Sequence, residues 1–170
     1  MRDALERDLS SQLQIALASS IRASVYPKSA IDVFVTVLDC EGAIDDADGL
    51  GVMGVLAAAV NCAAAAVADA GIECVDLVAA GVAAVGEDGV VRLDPVGEAR
   101  AAALVAYMAA RDEVTLVWTR GEGGEEEMEA LVESAVGVAS RVRGVVNEAV
   151  MERLVAVLDA KKPKDVEMSG

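Results

Sequence analysis

Residues 55–70, VLAAAVNCAAAAVADA, carry only two polar side chains, Asn61 and Asp69. Alanine has the highest helix propensity, so the run predicts a helix. A helix that is apolar on every side needs burial on both. That requirement restricts the chain to a layered fold in which this helix lies against a sheet under further cover. At sixteen residues it is too short and too rich in alanine to cross a bilayer, which takes about twenty strongly apolar residues. Its end, Asp69-Ala70-Gly71-Ile72, predicts a glycine C-cap followed by a hydrophobic residue.

The flanking segments have strand periodicity. Residues 30–38 (AIDVFVTVL) alternate, with Ile31, Val33, Val35 and Val37 on one face and Asp32, Phe34, Thr36 and Leu38 on the other. After the helix, residues 75–85 read as a strand, 86–89 (GEDG) as a hairpin turn and 90–93 as the returning partner. Residues 104–109 and 113–118 are two further strand-like runs.

Helices open and close the chain. Leu5, Leu9, Leu13, Leu17 and Ile21 mark an amphipathic first helix over 3–20, broken by Tyr26-Pro27. Glu125, Glu126 and Glu127 suit a helix N-terminus. They start a long helix with an apolar stripe of Met128, Leu131, Val132, Ala135, Val138, Val142, Val145, Ala149 and Leu154. Gly137 and Gly144 are expected to bend it or to mark close packing. The last residues (KKPKDVEMSG) are expected to be a disordered tail. This order predicts an α+β fold with a mixed sheet packed against helices, in one domain over 1–160 with a tail over 161–170.

Composition excludes several functions. The formal charge of −15 disfavours nucleic-acid binding by the chain alone, because that affinity comes from neutralising phosphates. It suits solubility or a basic partner. The absence of histidine removes His triads, His-ligated metals and the commonest general base. Cys40, Cys62 and Cys74 have no CxxC spacing, so no zinc site or disulfide framework is expected, a reducing compartment fits, and Cys62 is expected to be buried. The charged opening residues do not form a signal peptide.

The remaining motifs are weak. Gly49-Leu50-Gly51-Val52-Met53-Gly54 is a literal GxGxxG before a helix. Residues 40–48, with several acids, separate it from the strand, and no ribose-binding acid follows at the required distance. An ordinary flexible loop is the better reading. Asp45, Asp46 and Asp48 lack the spacing of a calcium loop. Arg141 and Arg143 fall on different helix faces and form no basic patch.

Taken together, Tyr26-Pro27-Lys28-Ser29-Ala30-Ile31-Asp32-Val33-Phe34-Val35, the Gly54, Ala58 and Ala63 spacing, Ala68-Asp69-Ala70-Gly71-Ile72, Asp76-Leu77-Val78-Ala79-Ala80 and Leu93-Asp94-Pro95 resemble the RNase PH family. Within it the chain is most similar to the ring subunits of the eukaryotic RNA exosome, of the mRNA-transport type. The resemblance implies an RNase PH-like fold whose first strands, expected before the first helix, are missing here. It implies partners among other RNase PH-like ring subunits and a cap subunit, RNA contact only in the assembled complex, no cofactor or metal, no membrane, and a place in nucleus, nucleolus and cytoplasm.

Active members of the family hold the attacking phosphate with Gly-Thr-Arg or Gly-Ser-Arg and carry two aspartates beyond the acidic turn. The matching positions here are Gly54-Val55-Leu56, and Ala99 and Val105. The resemblance therefore implies a non-catalytic scaffold in a complex that degrades and processes RNA from its 3′ end. The rival is an active phosphate-dependent exoribonuclease, and a weaker alternative is a nucleotide-binding domain using Gly49–Gly54. Arg22 and Lys28 are the candidate RNA contacts.

Overall fold

The computed structural model describes residues 2–40, 49–95, 97 and 99–161. Three helices and four strands follow in the order α1 (Arg2–Ala18), α2 (Leu50–Asp69), β1 (Ala79–Val85), β2 (Val91–Leu93), β3 (Ala101–Met108), β4 (Glu113–Gly121) and α3 (Glu125–Lys161). A single 3₁₀ turn lies at Ala23–Val25. The strands form one antiparallel sheet in the order β2-β1-β3-β4. The α+β layering expected from the sequence is present, and the sheet is wholly antiparallel.

Side chains alternate across a sheet, and both faces of this one are covered. One face presents Ala80, Val82, Ala84, Ala102, Leu104, Ala106 and Leu116 to α1 and α2. The other presents Ala83, Val85, Ala101, Ala103 and Val105 to Leu131 and Ala135 of α3. All seven residues of β1 are buried, which is why its sequence is a continuous apolar run. Small side chains let α3 approach closely. A Cβ on Gly81 of β1 would lie 2.5 Å from the Ala135 carbonyl oxygen and 2.6 Å from the Ala139 nitrogen. The close-packing glycine is therefore on the strand. Gly137 and Gly144 of α3 have open space beside them, and α3 runs unbroken through both.

Helix α2 ends as the sequence implies. Gly71 takes φ +71°, its N–H donates to the Ala68 carbonyl, and the Ile72 N–H donates to that of Val67. This is the paired hydrogen bonding of a Schellman cap. Its start is different, because the helix begins at Leu50 and takes in Gly51 and Gly54. The GxGxxG stretch is thus an N-cap and first helical turns, not a loop. At 20 residues and a mean hydropathy of 2.1, α2 is long and apolar enough to cross a membrane by length and composition. Half of that window is buried inside the protein, as in the core helix of a packed domain.

Cover over α2 is one-sided, however. Leu56, Val60, Ala63, Ala64 and Val67 are buried, whereas Ala58, Cys62 and Ala66, one helical turn apart, are exposed. The expectation of a buried Cys62 is overturned, because the helix lies on the sheet and, among the described residues, nothing covers its outer face. Helix α3 departs from its predicted stripe in the same way. Leu131, Ala135 and Val138 are buried, but Val145 and Leu154 are 67% and 48% exposed, because α3 outruns the sheet it covers.

The largest correction concerns residues 30–38. They form no strand, and Phe34 and Leu38 are 92% and 93% exposed. Alternation supplies a strand's side-chain pattern but not the neighbouring backbone that a strand needs. Two calls lie outside the described residues, the acidic segment with Asp45, Asp46 and Asp48, and the tail beyond Lys161.

Candidate functional site

The positions matching the family's phosphate loop are on α2. Only the first four N–H groups of a helix lack internal partners. Since α2 starts at Leu50, the amides of Gly54, Val55 and Leu56 fall beyond that first turn and are used within the helix. Leu56 itself is 1% exposed and packs in the core beneath α1. Neither backbone nor side chain offers an anion a donor here.

The other two degenerate positions divide between the sheet's faces. Ala99 is partly buried against the same cluster as Leu56. Val105 is fully buried on the opposite face, against α3. The structure does not bring Val55, Leu56, Ala99 and Val105 into one site. The face of β3 that does look toward Leu56 carries Ala102, Leu104, Ala106 and Met108. No carboxylate is available on it whichever way the register is counted.

A cleft of about 130 Å³ opens between α2, β1 and α3, lined by Gly54, Ala58, Asn61, Gly81, Asp94 and Val138 among others. Its central polar group is committed to structure. Asn61 Oδ1 accepts the Ala80 N–H at 2.7 Å, and Asn61 Nδ2 donates to the Ala80 carbonyl at 3.1 Å. The side chain thus completes the backbone pairing of β1 on the edge that the short β2 does not reach. Asp94, at φ +50°, donates its N–H to the Val82 carbonyl at 2.9 Å and leaves the cleft with one carboxylate and no cation. Among the described residues no cluster of His, Cys, Asp and Glu could hold a metal ion.

Arg22 is engaged within the protein. Its guanidinium donates to Glu73 at 2.6 Å, its N–H donates to the Glu73 carbonyl, and the Glu73 N–H donates to the Tyr26 hydroxyl. With the Ile21–Cys74 bridge and the Val75 N–H donating to Ser20, this knot ties the end of α1 to the segment after α2. Lys28 is exposed in the turn that follows, at φ +66°. The two cations are on one loop, but Arg22 is neutralised.

One largely buried polar contact was not legible as such. Arg143, read only as one of two arginines on different helix faces that form no basic patch, donates to Asp76 Oδ1 at 2.7 Å. Asp76 also accepts the N–H groups of Leu77 and Ala110, each at 2.8 Å, with its side chain only 4% exposed. Burial raises the carboxyl's pKa, but the hydrogen bonds from Arg143, Ala110 and Leu77 outweigh it and hold the pKa below the ordinary value. The available signal was the lone acid in the apolar run CVDLVAA.

The fold is an antiparallel sheet between two helical layers, as in RNase PH-type proteins. Residues 1–73 match domain 1 of the 3′ exoribonuclease (RNase PH) family. The chain is 39% identical over 146 residues to a Chaetomium thermophilum protein named exosome complex component MTR3, which covers 78% of this chain and 51% of that protein. It is 33% identical over 153 residues to a Schizosaccharomyces pombe protein named exosome complex component mtr3, covering 86% and 56%. The chain thus spans about half the length of the relatives it matches. The crystal structure of rice Rrp46 has the same fold, with a TM-score of 0.70 at 23% identity over 85% of this chain and 65% of that one. Residues 1–73 thus carry domain 1 of the RNase PH family, and most of the chain is similar to proteins named exosome complex component MTR3.

Proposed function

We propose that this chain is a non-catalytic scaffold subunit of an RNA exosome ring, holding neighbouring RNase PH-like subunits and a cap subunit around the RNA path. The names of its relatives support the complex, and the residues of the site support a non-catalytic role. One observation carries the second part. Leu56, in the phosphate-loop arginine's place, is a core residue of a helix whose amides are already paired. Phosphorolysis needs a positioned phosphate and charged groups at the reacting oxygens, and this arrangement supplies neither.

Rings containing this chain would serve 3′-to-5′ processing of ribosomal RNA and decay of messenger RNA in nucleus, nucleolus and cytoplasm. Co-expression with RNase PH-like subunits from the same cell, followed by affinity capture and native mass spectrometry, tests the assembly. A defined ring containing the chain supports the reading, and its absence from every such ring refutes it. The alternative, an active phosphate-dependent exoribonuclease, draws on the family's description. It requires phosphate-dependent release of nucleoside diphosphates from RNA.

A further inference from the structure

We draw no further inference here: the strongest candidate, the exposed apolar patch of Met151, Leu154, Val155 and Leu158 on the end of α3 that outruns the sheet, carries nothing, because nothing in the structure shows what covers it.

Discussion

Arg143 reaches across from α3 to place its guanidinium 2.7 Å from Asp76, just ahead of β1. One carboxylate thereby joins three parts of the fold, since Asp76 also accepts the Ala110 N–H from the β3–β4 turn. Arg143 Nε is buried with no partner among the described residues, so part of the gain is offset by desolvation. Removing one member of a buried pair is still costly, because the other is left uncompensated. Arg143→Met should lower unfolding free energy by about 3 kcal/mol, measured by urea denaturation.

The same pair sets an acid limit. The Asp76 pKa is lower in the folded chain than its ordinary value, so the unfolded chain binds the proton more readily. The contribution is then complete above the unfolded carboxyl pKa of about 3.9 and disappears as pH falls through the folded one. Thermal melts of the native chain and Asp76→Asn should differ at pH 7 and converge below about pH 4. A difference that grows on acidification would contradict the assignment.

Gly81 and Gly137 should answer alanine in opposite ways. At Gly81 the new methyl would collide with Val138 Cβ and the α3 backbone, forcing helix from sheet at a cost of about 3 kcal/mol. At Gly137 nothing lies within 4 Å, and alanine should stabilise the helix by up to about 1 kcal/mol. Paired denaturation curves of the two variants check the contrast.

Leu56→Arg should fail to create phosphorolysis. The side chain points into the core, so a guanidinium there is buried without a partner and destabilises the fold. The neighbouring face of β3 still lacks a carboxylate, and groups that act as a unit fail together. Chromatography of RNA incubated with phosphate and the variant should show no nucleoside diphosphate.

Two of the cysteines, Cys62 and Cys74, should react at different rates. Cys62 is exposed on the open face of α2, whereas burial raises the Cys74 pKa and its thiol donates to the Ile72 carbonyl. Thiolate is the reactive form. Timed labelling at pH 8 with peptide mapping should find Cys62 modified before Cys74.

RNA binding by the isolated chain should be weak. Arg22 is paired with Glu73, and the net charge of −15 opposes approach to phosphates. Filter binding at physiological salt should give no sub-micromolar affinity.

Local chemistry determined the elements whose partners are near in sequence. The alanine run had to be helical, Gly71 had to cap it, and Gly86–Gly89 had to turn β1 back onto β2, because propensity, positive φ and hairpin closure act over a few residues. The missing donors at Val55 and Leu56 were equally plain, since no fold turns them into hydroxyl and guanidinium. Tertiary structure alone decided what depends on distant neighbours. Alternation over 30–38 did not make a strand, because among the described residues no backbone pairs with it. The stripe on α3 lost its cover where the sheet ended, and α2 left Cys62 in solvent because it lies on the face turned away from the sheet. Asp76 and Arg143, 67 residues apart, met only because α3 folds back over β1, and burial turned two ordinary charges into the fold's central polar contact.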